Sequence, residues 1–332
     1  MMEKTSYMIM NRLLIILCVL FISAGSFAAE LTPEMYTYAK KVAAEGKISR
    51  KAVVRWLKRV RLDMDVVDLM DRQAEKKEWK DYKPYFINDT KIKKGVHFIR
   101  RYPKTLAKAQ RIYGVDKYVV AAILGVETDF GTYDLQHRAM DALFTLAFYY
   151  PRRADYFKDE LQALMIYAYR NRLDPFNLKS SYAGAVGMPQ FMPSNIMKFG
   201  KEFSGDGRIN IFKSGADSIG SIANYLEKNG WDRGEPIAVL ANVEGDAWTK
   251  YLDKGLKPQF DLADMKKDGV EPSLPVKMNR KAALIKLEAE DGPEYWIVFN
   301  NFYVISRYNP SAKYALAVTI LSKHLELHSR RR

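Results

Sequence analysis

Apolar positions recur along most of this chain with the period of an α-helix. "TPEMYTYAKKVAAEGK" starts one such run, with Thr32 placed as an N-cap and Pro33 at the first helical position. In "KAVVRWLKRVRLDMDVVDLMDRQAE", Val54, Leu57, Val60, Leu62, Val66, Leu69 and Met70 keep helical spacing. A Trp79, Tyr82, Tyr85, Phe86 cluster follows, and "TKIKKGVHFIRRYPKTLAKAQRIYGV" reads as a further amphipathic helix ending near Gly114. "DKYVVAAILGVE" is apolar on all sides, which puts that helix at the centre of the core. "AMDALFTLAFYYPRRADYFKDELQALMIYAYRN" supplies two more helices, the second entered at Pro151.

From Glu235 the pattern changes. "EPIAVLANV", "KAALIKLEAEDGPEYWIVF" and "FYVISRYN" are β-rich, with a turn signal at Asp291-Gly292-Pro293. "KPQFDLADMKKDGVEPSLPV" between them reads as loop, and "AKYALAVTILSKHLEL" closes the chain as a helix. No internal repeat or long low-complexity linker interrupts this order. The expected fold class is α+β, predominantly α-helical. Its expected divisions are a leader at 1–28, an N-terminal helical region at 29–95 and a core at 96–234. A small β-containing subdomain then spans 235–294, and 295–328 returns to the core with the closing helix.

The leader does not belong to that pattern. "NRLLIILCVLFISAGSFAA" joins a basic start (Lys4, Arg12) to an apolar stretch and small residues at Ser26, Ala28 and Ala29, which is a secretory signal with cleavage expected after Ala28. Its apolar stretch of about ten residues is short against the roughly 20 that a membrane span needs. Cys18, the only cysteine, lies inside it behind Leu17, so neither a disulfide nor a lipid anchor is expected in the mature protein. The expected location is the periplasm, with no permanent membrane anchor. At 332 residues and 48% hydrophobic content, the chain can bury a core without covalent staples. A formal charge of +14 would suggest nucleic acid in a cytosolic protein. In an exported one it favours anionic polymers of the envelope instead, or serves solubility alone.

Against this background "LGVETDFG" raises a chemical question, because Glu127 directly follows the most apolar helix. A carboxyl beside Val120, Ile123, Leu124 and Phe130 is expected to titrate high, since desolvation disfavours the ion, and that suits a general acid for glycosidic cleavage. A helix-end glutamate pointing to water is the plain alternative. "SSYAGAVGMPQFMPSN" is rich in small residues that let a polymer approach the backbone, and Gln190 offers both a donor and an acceptor. "SRYNPSAKYALAV" sets Tyr308 and Asn309 just before a helix, where an asparagine also serves as a simple cap.

Taken together, "GVETDFG", "DALFTLAFYYPRRADYF", "DPFNLKSSYAGAVGMPQFMPS", "FSGDGRIN", "SIGSIANYLEKNGW" and "NNFYVISRYNPSAKYALAV" resemble the B-type lytic murein transglycosylases, in that family's order. The resemblance covers roughly residues 80–320 and implies a lysozyme-like catalytic core. It puts Glu127 at the family's sole catalytic glutamate. Ser181, Gln190 and Phe191 match the loop bordering the cleft, and Tyr308 and Asn309 match the pair approaching the glutamate from the other side. Arg152, Arg153, Tyr156, Tyr225 and Tyr82 match the lining of the glycan groove. The implied substrate is the peptidoglycan glycan strand, cut between N-acetylmuramic acid and N-acetylglucosamine, with other cell-wall enzymes as candidate partners and no nucleic acid.

The implied chemistry uses one carboxyl twice. Glu127 protonates the glycosidic oxygen, then takes the proton of the muramoyl C6 hydroxyl as it attacks C1, leaving a 1,6-anhydro end. Ordinary glycosidases use two carboxylates about 5–9 Å apart. Asp129 is the challenger for the second and is read as a surface or supporting residue. No cofactor is required for this chemistry. "EFSGDGRIN" is similar to the start of a calcium loop, with Glu202, Ser204, Asp206, Arg208 and Asn210 in register, but position 12 is Lys213. Asp217 is the acid that would close a longer loop, so a structural calcium and a cation-free loop both stay open. The competing functions are a hydrolytic muramidase and a non-catalytic peptidoglycan-binding scaffold.

Overall fold

The computed structural model describes residues 30–72 and 77–330; the leader expected at 1–28 lies outside the described residues. Helices dominate, and two of the expected starts have a side-chain cap as their local cause. Thr32 accepts from the Met35 amide ahead of the helix Pro33–Gly46. Asp116 does the same for Tyr118 at 2.7 Å, starting the central helix Lys117–Thr128.

Two helical runs are shorter than their periodicity suggests. The run after residue 50 stops at Arg59, turns extended at Val60 and resumes as Asp65–Asp71. Tertiary bonds explain the break: the Arg61 amide donates to Asp141 at 3.1 Å and the Asp63 amide to the Thr145 hydroxyl at 3.0 Å. Buried side chains on the helix Ala139–Tyr149 thus capture a strand-like stretch whose apolar spacing alone reads as helix. The second run divides into Asp89–Arg101 and Pro103–Tyr113, because Pro103 lacks the amide that would continue the first helix and starts the second instead.

The β-containing part is a five-stranded antiparallel sheet in the order Phe260–Asp261, Lys281–Ala289, Gly292–Val298, Ala238–Val243, Val270–Pro272. It therefore runs past residue 294. Alternate residues of its strands serve two cores. Ala283, Ile285 and Val298 face the large helical core, while Ala282, Leu284 and Ile297 face a smaller one with Tyr251, Leu262 and Met265. The stretch read as loop carries the helix Leu262–Lys267 between two short strands. "FYVISRYN", read as β-rich, is instead the helix Asn300–Ser306. Its buried Asn301 side chain accepts from the Asp232 amide and donates to the Asp232 and Glu235 carbonyls, which ties this helix to the preceding turn. A β-branched composition is overridden there by a polar anchor.

The closing helix Ala312–Arg330 packs beside the central helix and Asp89–Arg101. Gly95 allows this, since a Cβ there would come within 2.3 Å of Leu325; one at Gly125 would come within 2.5 Å of Phe130, in the turn after the central helix. Among the described residues, no helix is long and apolar enough to cross a membrane.

Candidate active site

The central helix ends directly after Glu127. Asp129, Phe130 and Gly131 all take left-handed backbone angles, with φ of 51°, 62° and 82°, and fold the chain back on itself. The Phe130 ring then seals the space beside Gly125 and Gly95. Lys91 reaches across to donate to the Gly125 carbonyl at 2.9 Å, meeting the negative end of the helix. Glu127 is thereby held at the floor of a cleft of about 400 Å³, walled by Tyr82, Tyr85, Phe86, Val126 and Tyr133.

Tyr314 of the closing helix donates its hydroxyl to Glu127 Oε1 at 2.6 Å. The glutamate retains some exposure towards the cleft, but its carboxyl lies among protein atoms. Desolvation pushes its pKa up to about 7, against the smaller lowering effect of the Tyr314 bond. Burial, with the Glu127 charge adding to it, also raises Tyr82 to about 12 and drives Tyr308 and Tyr314 upward. These phenols remain neutral donors around one carboxyl near half-protonation at neutral pH.

Asp129 is a different kind of acid. Although burial alone would raise it, Lys94 and Lys91 outweigh that and hold it below the usual carboxylate range. It stays ionised and ion-paired, unsuited to donating a proton.

The loop expected to border the cleft is a tight reversal. Val186 and Phe191 exchange backbone bonds at 2.8 and 3.1 Å. Gln190 sits at φ 50° and donates its side-chain amide to the Gly187 carbonyl at 3.0 Å. The Thr128 hydroxyl donates to the Met188 carbonyl at 2.8 Å and Tyr308 donates to that of Pro189, so the loop is fastened to the Glu127 helix and to the turn before the Tyr314 helix. Ser181 is partly exposed, and its hydroxyl accepts from the Ala185 amide. Phe191 is 1% exposed and offers no surface to a glycan; it backs the wall, packed on Tyr225 and Tyr308. Tyr225 is likewise buried, its hydroxyl given to the Arg307 carbonyl at 2.7 Å. Asn309 is exposed.

Arg152, Arg153 and Tyr156 do not line the 400 Å³ cleft. Arg152 pairs with Asp71 at 2.9 Å, and the Arg153 guanidinium lies 4.3 Å over the Tyr156 ring at the surface. Tyr82 does line it. Tyr314 was not singled out by the sequence, because at helical spacing between Ser311 and Val318 it reads as a core aromatic. Lys91 and Tyr133 were missed for the same kind of reason: nothing local marks a lysine or tyrosine that tertiary folding brings to a helix end.

The calcium loop brings the right chemical type of donor to one place, oxygen atoms of Glu202, Ser204, Asp206, Asn210 and Asp217. In the structure these oxygens accept from amides and hydroxyls of the loop itself. Asp217 is fully buried, and its two oxygens accept from the amides of Phe203, Ser204 and Asn210 at 2.8–2.9 Å. Glu202 accepts from Ser204 and Gly205, Asp206 from the Arg208 amide, and Asn210 from the Phe212 and Lys213 amides. Among the described residues, no cluster of three His, Cys, Asp or Glu side chains is gathered for a metal. Asp217 ties the two ends of the loop together. Asp217→Ala should cost about 3 kcal/mol by stranding buried amides, as read by urea melts in EGTA; a larger loss in calcium would add a bound cation to its role.

Comparison with known proteins agrees with this geometry. Residues 32–323 match the transglycosylase SLT domain family. The chain is 36% identical over 313 residues to membrane-bound lytic murein transglycosylase B of Escherichia coli K12, covering 91% of this chain and 85% of that protein. The crystal structure of soluble lytic transglycosylase SltB1 from Pseudomonas aeruginosa superposes with a TM-score of 0.85 at 36% identity, over 89% of this chain and 99% of that one. The Escherichia coli lytic transglycosylase Slt35, solved in complex with bulgecin A, gives 0.81 at 37% identity, over 88% and 92%. The chain belongs to the transglycosylase SLT domain family, with the mostly helical, lysozyme-like architecture of those structures.

Proposed function

We propose that this protein is a lytic transglycosylase of murein, cleaving the β-1,4 bond between N-acetylmuramic acid and N-acetylglucosamine with Glu127 as acid and then as base. The observation that carries the reading is a single carboxyl of pKa about 7 at a cleft floor, next to an acid that ion pairs keep charged. A group poised near neutrality can give a proton and take one back at the same pH. In the first half, Glu127 protonates the departing glycosidic oxygen. In the second, its carboxylate, held by Tyr314, removes the proton from the muramoyl C6 hydroxyl as that oxygen bonds to C1. No water need be activated, so no second carboxylate is required.

Support comes also from the named relatives, which are lytic transglycosylases at 36–37% identity over most of their length. A secretory leader and a basic surface suit an enzyme that meets this polymer in the periplasm. Digestion of purified sacculi followed by mass analysis of the released muropeptides tests the reading. Anhydromuramoyl ends are expected; reducing muramic acid ends would make the protein a hydrolytic muramidase, and no release would leave a binding scaffold.

A further inference from the structure

A second pocket adjoins the catalytic cleft. It holds about 270 Å³ and shares Asp129 with the cleft as a common wall. Lys94, His97, Arg101 and Lys213 rim it, over a floor that includes Phe98 and Phe130. Met188, whose carbonyl is bonded to Thr128, forms another side, so the pocket begins one residue beyond the glutamate's own helix end. Its charges are unequal. Three permanent cations face one carboxylate, and Lys94 and Lys91 already satisfy that one. Among the described residues, Arg101 and Lys213 have no ion-pair partner, although both are exposed on the rim of a concave, aromatic-floored site.

Cations with no counter-charge, grouped over apolar rings, match a ligand that carries carboxylates on short aliphatic side chains. Murein has one such component, the peptide stem borne by every substituted muramoyl residue beside the scissile bond. On the reading of function given above, we infer that this pocket takes the stem carboxylates of the muramoyl residue being cut, with Arg101 and Lys213 as the recognising groups. The guanidinium of Arg101 presents a planar fork of donors, and the Lys213 ammonium a point charge. The Phe98 and Phe130 rings beneath them receive the aliphatic part of the stem.

The test compares murein strands with native stems and strands whose stem carboxylates have been converted to amides. For the unaltered enzyme, amidation should raise KM about tenfold, the sum of two exposed charge pairs, with little change in kcat. The double variant R101Q/K213Q should show that raised KM on native strands and no further change on amidated ones. Its cleavage of amidated strands at the unaltered rate also shows that it is folded. Equal losses by the variant on both substrates, or no loss on either, overturn the inference while leaving the transglycosylase reading intact. An unaltered enzyme that cuts neither strand overturns that reading, and this inference with it.

Discussion

Glu127→Gln is expected to bind murein as before and to cut it about 10³-fold more slowly, because the amide can neither give nor take the proton. Muropeptide release and sacculus pelleting measure the two properties separately, and undiminished release would remove Glu127 from the chemistry. The same variant has a second signature. The folded protein holds this carboxyl at about 7, above an ordinary value of 4.5. Below pH 4.5 the group is protonated folded or unfolded, and it contributes nothing to the pH dependence. Between 4.5 and 7 only the folded state keeps the proton, so stability falls as pH rises, and above 7 the full cost of the buried ion remains. That cost is up to ~3 kcal/mol. Glu127→Gln should therefore be more stable than the parent at pH 8 and equal to it at pH 4, as read by urea unfolding. A catalyst that gains stability by losing its acid is the expected mark of a site built for chemistry.

Tyr314→Phe should reduce kcat by about 10- to 100-fold through loss of the bond that orients the carboxyl. The sign of its pH effect separates positioning from mere packing. The Tyr314 hydroxyl favours the ionised glutamate, so removing it raises the Glu127 pKa further. Cleavage by the parent should decline above about pH 7 as the acid ionises; in the variant that decline should move upward by about one pH unit. A fall in kcat with no displacement of the alkaline limb would make Tyr314 a packing residue only.

What could be read from the chain follows from which forces act locally. The central helix and the unusual position of Glu127 were legible, because an all-apolar run ending in an acid is a local signal. The helical break at Val60 was not, since it depends on Asp141 and Thr145, some 80 residues away. The helix at Asn300–Ser306 was misread as β-rich because Asn301's three partners lie far back in the sequence. Among site residues, Tyr82 and Glu127 share the cleft. Phe191 and Tyr225 belong to its buried backing, where an aromatic's type says nothing about which side of a wall it occupies. The calcium-like loop stays ambiguous for a related reason: the oxygens that bind a cation serve equally well to bind amides.

The bond between Tyr314 and Glu127 joins positions 187 residues apart, and Tyr308 fastens the Pro189 carbonyl across 119. Both tyrosines come from far along the chain, so the carboxyl is aimed only when distant segments have packed together. An acid aimed only by such distant partners is disarmed as soon as the tertiary fold loosens, whatever helix remains around it.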